Sequence, residues 1–290
     1  ASSYGFVDCT TVFGDSTHQK ANANKRKSVK KEIEVLKKKY EDDLLKEINE
    51  DRECIGKKAY DSMNRTEYAF DQDSGEEIKV TAKRTIHEST TDPESGCFHK
   101  GEKEKCFAYS HQPFCDKNAF VLTVKTVSGN IHDSVSFFDA YQQLMNRKYA
   151  NQIQNVSLDS GYASPAICRE IIENKQDPYM PYKRPMTKRG FFKKHDYAYD
   201  EEYDCYICPN NKVLGYTTTT REGYRQYKSD PEDCMNCPFR NQCTKSRNHV
   251  KVINRHLWER YRERSEEIRH TPKWKEIYPK RKETIERVFA

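Results

Sequence analysis

Residues 155–172 read NVSLDSGYASPAICREII. The first part predicts a short strand that ends in an acid, Asp159. Ser160-Gly161-Tyr162 predicts a turn, and Ser164 followed by Pro165 predicts the N-cap and first position of a helix. A strand, a turn and a helix in this order are typical of an α/β sheet, and they place one carboxylate at the end of a strand.

The rest of the chain contains further elements of the same class. An apolar run from Tyr4 to Phe13 predicts a strand that ends near Asp15, and a narrow apolar stripe predicts a long amphipathic helix over about 25–58. Further along, we predict a polar, irregular segment at 59–105 with a turn at 90–96, strands at 106–111, 119–127 and 179–182, a helix capped by Asp133 or Ser134, and helices from 256 onward. This mixed order predicts an α/β fold.

Changes in composition divide the chain into three segments. Residues 1–182 are predicted to form the first part of the α/β core, with the long helix at about 25–58. Residues 183–250 are basic, aromatic and rich in cysteine, which predicts an insertion. Residues 251–290 are predicted to be C-terminal helices that complete the core.

Composition limits the function classes. Charged residues make up 33% of the 290 residues and aromatic residues 12%, which argues against a disordered chain. The net charge of +6 fits a polyanionic partner, although a solvated basic surface is the simpler explanation of charge alone. No apolar run is long enough to span a bilayer, and no signal peptide precedes the first strand. The 11 cysteines without an export signal favour thiols and metal ligands over a disulfide framework.

Acidic residues at strand ends are candidate metal ligands. Asp15 and Asp159 each follow a predicted strand, and Glu286 lies on a predicted helix that could close over them. Phosphodiester cleavage needs an activated oxygen nucleophile and neutralisation of phosphate charge, both of which two Mg²⁺ ions supply. A few carboxylates and water are sufficient ligands for Mg²⁺.

Several motifs carry a resemblance to a known family. FGDSTHQKANANK at 13–25 resembles the first-aspartate motif of DDE transposases from bacterial insertion sequences, and LDSGYAS at 158–164 resembles their second-aspartate motif. YPKRKETIERVFA at 278–290 resembles the segment that supplies the final glutamate. TTDP at 90–93 and GNIHDS at 129–134 resemble further landmarks of the family, so the likeness covers essentially the whole chain.

The resemblance implies a fold and an activity. It implies an RNase H-like sheet in which Asp15, Asp159 and Glu286 hold two Mg²⁺ or Mn²⁺ ions. Hydrolysis at a transposon end would free a 3′ hydroxyl, which would then attack target DNA. Tyr278 and Arg281 would contact DNA phosphate. Double-stranded DNA is the expected partner, with a homodimer assembled on it, no membrane, and a cytoplasmic, nucleoid-associated location in a bacterium.

The final motif departs from the family pattern. Four residues separate Arg281 from Glu286, whereas Lys282 has the three-residue spacing of the related subgroup, so either base could serve in contacting DNA. Glu283 is an alternative third carboxylate. A family lysine beyond the glutamate and an N-terminal helical domain have no counterpart, and the first residue is not Met. We therefore expect a chain truncated at both ends, whose own activity is open.

Two further groups of residues are candidate sites. His132-Asp133 lies near the expected active site, with a helix N-cap by Asp133 as the alternative. Paired Cys-x-x-Cys sequences favour one structural zinc, with a metal-free thiol cluster as the alternative. The candidate zinc ligands are Cys205, Cys208, Cys234, Cys237 and Cys243.

Basic residues interleaved with aromatic ones predict DNA contact in the insertion, with a solvated loop as the alternative. These residues are Lys183, Arg184, Lys188, Arg189, Lys193 and Lys194.

Two other functions stay open. The chain could be a zinc-ribbon DNA-binding protein whose acids no longer act, or an inactive fragment of a transposase. Metal-dependent cleavage that is lost on substitution of Asp15 and of Asp159 separates the main hypothesis from the first of these. Recovery of activity on adding the missing flanks would indicate the second.

Overall fold

The computed structural model describes residues 5–34, 38–63, 67–70, 77–80, 83–100, 104–183 and 187–289. The chain divides into two compact units. Unit 1 comprises residues 1–39, 66–183 and 260–290, and unit 2 comprises residues 40–65 and 184–259.

Strands and helices alternate irregularly along the chain. The strands are β1 Thr11–Gly14, β2 Thr17–Lys20, β3 Ser28–Glu34, β4 Glu67–Phe70, β5 Glu77–Val80, β6 Lys83–Ser89, β7 Gly96–Lys100, β8 Glu104–Asp116, β9 Val121–Ser128, β10 Asn155–Ser157, β11 Asp177–Tyr179, β12 Ala198–Asp200, β13 Cys205–Ile207, β14 Val213–Thr219, β15 Tyr224–Ser229 and β16 Val252–His256. The helices are α1 Glu41–Cys54, α2 Asp133–Met145, α3 Pro165–Glu173, α4 Pro231–Met235, α5 Arg240–Cys243, α6 Glu259–Arg269, α7 Pro272–Ile277 and α8 Ile285–Val288, with 3₁₀ turns at Ala150–Gln152, Ser160–Tyr162, Lys194–Asp196 and Tyr278–Glu283.

Unit 1 is built on a mixed sheet. Its strand order is β11-β10-β1-β8-β7-β6-β3, and β2 and β9 also pair with β8. The three strands β1, β10 and β11 run parallel, while β8 pairs antiparallel with β1. The carboxyl ends of β1 and β10 therefore lie at the same edge of the sheet.

Helices pack on both faces of this sheet because successive side chains of a strand point to opposite sides. Phe114 of β8 contacts the rings of Phe137 and Tyr141 in α2. The next residue, Cys115, belongs to a buried cluster on the other face. That cluster contains Phe13, Tyr179, Ile268, Ile277 and Ile285, so α6, α7 and α8 cover this face.

Unit 2 is a five-stranded antiparallel sheet in the order β12-β13-β14-β15-β16, with α1 packed on β14. Its core is mostly aromatic and contains Tyr197, Tyr206, Leu214, Tyr227 and Ile253. Leu44 and Ile48 of α1 are also buried. The indole of Trp258 donates to Glu47 Oε2 over 2.7 Å, which ties α1 to the end of this unit.

The structure confirms the α/β class, with a mixed sheet flanked by helices. It also confirms the strands before Asp15 and Asp159, and the helix that begins with Ser164 as N-cap and Pro165 at its first turn. The helix after residue 131 forms, but its N-cap is His132 rather than Asp133 or Ser134. His132 accepts the amide hydrogen of Ser134. The strand expected at 179–182 ends at Tyr179.

The predicted long helix at 25–58 is wrong in its first half. Residues Ser28–Glu34 form β3, and only Glu41–Cys54 is helical. The register from Ser28↔Ser89 to Glu34↔Lys83 supplies backbone partners for this strand, and Val29 is 49% exposed. Pairing of the backbone thus overrides the helical spacing of Val29 and Ile33, the first of which is exposed and the second only partly buried.

The expectation of an irregular segment at 59–105 is also wrong, because β4 to β7 and the start of β8 lie in it. Each of these strands pairs antiparallel with a neighbour that is distant in the sequence or follows a turn, and such pairing is not visible in a local pattern. The turn at 90–96 does form, with the amide of Ser95 bonded to the carbonyl of Asp92. At the other end, β16 precedes the predicted C-terminal helices.

Candidate functional site

Two acids follow neighbouring parallel strands of unit 1. Asp15 comes directly after β1, and Asp159 comes two residues after β10. The pairing of Phe13 with Ser157 fixes the two strand ends at the same level. The side chain of Asp15 is 24% exposed, and Asp159 is exposed.

Gly14 explains how the chain reaches Asp15 in a crowded core. A Cβ atom at this position would lie 2.6 Å from the ring of Phe114 and 2.8 Å from Leu158. Real Cβ atoms do not approach other atoms so closely, so the position admits the backbone but no side chain.

Arg281 lies beneath these strand ends and is 4% exposed. Its Nη1 donates to the carbonyl of Gly14 over 2.8 Å and to the carbonyl of Ser157 over 3.0 Å. Its Nη2 donates to Oδ2 of Asp15 over 2.5 Å. One guanidinium therefore binds the ends of β1 and β10 and the first acid.

The carboxyl of Asp15 has opposing influences. Burial is the largest and raises its pKa, while the Arg281 guanidinium and the Ser16 amide lower it. The carboxylates of Asp159 and Asp133 raise it further, and the net pKa is above the ordinary value.

The pKa of the Tyr278 hydroxyl depends on burial and on several charged groups, including all three predicted acids. Burial raises the pKa of its hydroxyl, and the Arg281 guanidinium lowers it. The carboxylates of Asp159, Asp15 and Glu286 each raise it as well. Each of these three carboxylates therefore disfavours ionisation of the Tyr278 hydroxyl.

The third carboxylate is less enclosed than the first. Glu286 lies in α8 and is exposed, as is the alternative Glu283. Lys282 is exposed too, whereas Arg281 of the same segment faces inward to Asp15. The ring of Tyr278 stacks on Trp274 with centroids 4.7 Å apart, which fixes the start of this segment.

Comparison with known protein families finds one match. Residues 207–290 match the family model described as the transposase DDE domain. The match supports a DDE transposase. The matched segment covers less than a third of the chain and includes Tyr278, Arg281 and Glu286. No curated protein and no solved structure gives a significant match.

DDE transposases use divalent metal ions, and carboxylate oxygens are the donors that Mg²⁺ prefers. Within the described part of the chain, no three His, Cys, Asp or Glu side chains are placed together so that they could hold a metal ion. Asp15 has the right donor chemistry, but its Oδ2 is bonded to Arg281 and its Oδ1 to the amide of Ser16.

Asp133 and Tyr162 complete the surroundings of Asp15. Asp133 follows the N-cap of α2 and acts on the pKa of both Asp15 and Tyr162. Tyr162 is buried, which raises the pKa of its hydroxyl, and Ser16 acts on the same pKa in the opposite direction. The GNIHDS and LDSGYAS motifs contain these two residues, although the sequence alone assigned Tyr162 no role.

The predicted zinc ligands lie in unit 2 and are thiols. Cys243 lies 3.1 Å from the hydroxyl of Tyr197, and both Cys208 and Cys243 pack against the aromatic core. The charges of Cys234 and Cys208 raise the pKa of Cys243, after burial, which is the largest cause. Burial, Asp200 and Asp204 raise the pKa of Cys205, whose side chain points to the opposite face of β13 from the core residue Tyr206.

The predicted DNA-contacting residues differ in their surroundings. Lys183, Lys188, Arg189 and Lys193 are exposed, and Arg184 lies outside the described residues. Lys194 is paired with Glu259 over 2.7 Å, which offsets its charge.

Two lysines that the sequence did not single out accompany Lys188. Lys245 lies 5.5 Å above the ring of Phe191, and Lys251 lies 5.1 Å above the ring of Tyr197. Lys188, Phe191 and Lys251 line two adjoining grooves of about 360 and 430 Å³. Their sequence separation hides this proximity, because β16 and the turn before it bring Lys245 and Lys251 back to the start of the unit.

No helix among the described residues has the length and apolar character needed to cross a bilayer.

Proposed function

We propose that this chain is the catalytic part of a DNA transposase that cleaves phosphodiester bonds with divalent metal ions. The observation that carries the proposal is the emergence of Asp15 and Asp159 from adjacent parallel strands at one sheet edge. The order of antiparallel strands next to this parallel group supports an RNase H-like fold. The third acid in the proposal is Glu286, because α8, which contains it, follows directly on the turn whose Arg281 binds Asp15 and the end of β10.

Each part of the site has its own task in this reaction. Asp15, Asp159 and Glu286 would hold two Mg²⁺ or Mn²⁺ ions, which when bound supply an activated oxygen and neutralise charge on the phosphate. Hydrolysis at a transposon end frees a 3′ hydroxyl, and the same site then directs that hydroxyl to target DNA. Burial of Asp15 limits water around the reacting phosphate, which strengthens the electrostatic stabilisation of its charge.

Nicking of supercoiled plasmid DNA in Mn²⁺ tests this proposal. We expect nicking by the unaltered chain and its loss in EDTA, in Asp15→Asn and in Asp159→Asn. Asp139→Asn is the matched control, because Asp139 is an exposed acid of α2 paired with Lys39. Nicking that survives both site substitutions would overturn the assignment. An unaltered chain that binds DNA but never nicks it would favour the zinc-ribbon or inactive-fragment alternative.

Unit 2 is proposed to contact DNA through Lys188, Lys245 and Lys251. Phe191, which lines the same grooves as these lysines and is half-buried, gives the patch an aromatic surface beside its charges. Replacing Lys188 and Lys251 by Gln should weaken DNA binding and lower its salt dependence by about two released ions. Fluorescence anisotropy measures how the affinity for DNA depends on salt concentration. An unchanged dependence in the double variant would show that these lysines do not contact DNA. The exposed Lys183, Arg189 and Lys193, the half-buried Lys194 and the undescribed Arg184 remain proposed contacts of the same kind.

A structural zinc in unit 2 is also proposed. The charges of Cys234 and Cys208 act on Cys243, and Cys237 follows Cys234 in a tight turn in which its amide bonds to the Cys234 carbonyl. The amide of Lys212 also points to Cys208 Sγ at 3.4 Å, a contact that suits a thiolate. These four cysteines, without Cys205, are the favoured ligand set. Elemental analysis should find one zinc per chain, lost in Cys234→Ser and kept in Cys205→Ser.

Assembly on DNA as a homodimer, and residence with the bacterial nucleoid, follow from the proposed function and remain predictions. Light scattering with and without a DNA duplex tests the first of them. A monomer in both conditions would contradict it.

A further inference from the structure

Arg281 holds together three separate parts of unit 1. Its Nη1 binds the carbonyls of Gly14 and Ser157, and its Nη2 binds the carboxylate of Asp15. The first carbonyl ends β1 and the second ends β10. Its side chain is 5% exposed, so these bonds form away from bulk solvent.

We infer that Arg281 is a positioning residue, which fixes the orientation of Asp15 and the distance between the two aspartate-bearing strand ends. This inference rests on the proposed function, since Asp15 is assigned its role there. It replaces the expected contact of Arg281 with DNA phosphate.

The geometry favours positioning over phosphate binding. Both hydrogens of Nη1 are directed to backbone carbonyls, and one hydrogen of Nη2 is directed to Asp15. A phosphate bound at the paired Nη1 and Nη2 atoms would have to displace these acceptors. Each displaced carbonyl would then be buried without a donor, which is unfavourable.

The same side chain also places the third acid. Arg281 belongs to the 3₁₀ turn Tyr278–Glu283, which leads directly into α8 and Glu286. The hydroxyl of Thr284 donates to the carbonyl of Lys280 over 2.8 Å, and Ile285 is fully buried. Because the hydrogen bonds of Arg281 fix the position of this short segment, they also constrain where Glu286 lies with respect to Asp15 and Asp159.

Arg281→Gln and Arg281→Lys test the inference. Three quantities are measured: the plasmid-nicking rate at saturating protein, the Kd for a DNA duplex by anisotropy, and the amide exchange of residues 14–17 by mass spectrometry. The Ser16 amide is bonded to Asp15 Oδ1, so its exchange reports the orientation of that carboxylate without requiring activity. Arg264→Gln is the matched control, because it removes an exposed guanidinium of the same unit.

For Arg281→Gln we expect a nicking rate lowered by about 100-fold, since small displacements of catalytic groups have effects of that size. Exchange over 14–17 should be faster, and the DNA Kd should stay within about threefold because no phosphate contact is lost. Arg281→Lys should recover part of the rate, since it keeps a donor but not the planar fork. Arg264→Gln should change neither rate nor exchange.

A raised Kd with a lower salt slope, and an unchanged rate at saturation, would overturn positioning in favour of phosphate contact. If Arg281→Gln does not fold, Arg281→Lys is compared with the unaltered protein instead. A lower nicking rate with an unchanged Kd then supports positioning, and a raised Kd with an unchanged rate supports phosphate contact. Failure of the proposed function is a separate result, because nicking would then survive in Asp15→Asn and Asp159→Asn.

Discussion

Arg281 donates from Nη2 to Oδ2 of Asp15 across 2.5 Å, although the two residues are 266 positions apart in the chain. The pair joins the first strand of unit 1 to its last turn. Arg281 is almost fully buried, while Asp15 is partly open to solvent. The stability of this unit and the placement of its acids therefore depend on the same contact.

Asp15→Ala should destabilise the protein, whereas Asp159→Ala should not. The first change leaves the buried Arg281 guanidinium without its counter-charge, which costs about 3–5 kcal/mol. The second removes an exposed side chain and should change the free energy of unfolding by less than about 0.5 kcal/mol. Urea unfolding measures both, and equal stabilities would contradict the importance of the pair. Both variants should lack nicking activity.

Gly14→Ala should be destabilising by about 1–3 kcal/mol, the usual cost of overpacking a core. The added methyl would meet Phe114 and Leu158 at distances that require them to move. Gly161→Ala is the matched control, because no atom lies within 4 Å of the corresponding methyl position. Thermal unfolding of both variants checks this, and a similar midpoint for the two would show that the strand end is not tightly packed.

The stability of unit 2 should fall as the pH is lowered because of His256. Burial lowers the pKa of this imidazole from 6.5 to about 4, and its Nδ1 accepts the amide hydrogen of Trp258, which requires the neutral ring. Since the folded pKa is below the unfolded one, the unfolded chain binds the proton first. The contribution of neutral His256 to the stability of unit 2 is complete above about pH 6.5. It is lost as the pH falls towards 4, and the total loss is about 3 kcal/mol.

His256→Asn should flatten this dependence while keeping an acceptor near the Trp258 amide. Trp258 fluorescence during urea unfolding, in a Trp274→Phe background, follows unit 2 because the chain has only these two tryptophans. Between pH 4 and 6.5, the slope of the unfolding free energy against pH should correspond to about one proton per molecule at most. If His256→Asn shows the same slope as the unaltered protein, His256 is excluded as its source.

Arg225→Lys should loosen α1 from the sheet of unit 2. Arg225 binds Asp51 through Nε at 2.6 Å and Nη2 at 2.5 Å, a paired geometry that a lysine cannot reproduce. We expect a loss of about 1–3 kcal/mol, the range for hydrogen bonds to charged groups. Arg247→Lys at an exposed position is the control, and hydrogen exchange over 41–54 is the measurement. Equal protection of α1 in both variants would contradict this anchoring role.

Local signals in the sequence were sufficient for some elements and insufficient for others. Ser164-Pro165 specified a helix start because capping is a short-range interaction, and the apolar residues before Asp15 specified a buried strand. Ser28–Glu34 was predicted to be helical because its apolar spacing fits a helix. Its pairing with Lys83–Ser89 depends on residues far along the chain, so a local pattern could not reveal it.

The candidate site divides in the same way. The sequence by itself determined which acids stand out, because Asp15 and Asp159 each follow a strand and lie in motifs that resemble those of DDE transposases. It also determined that Arg281 matters, but not for what. Only the tertiary structure decided that this base faces inward to Asp15 and two backbone carbonyls rather than outward to solvent. The reason is physical: charge and spacing are properties of the chain, whereas burial and hydrogen-bond partners arise only when distant segments pack together.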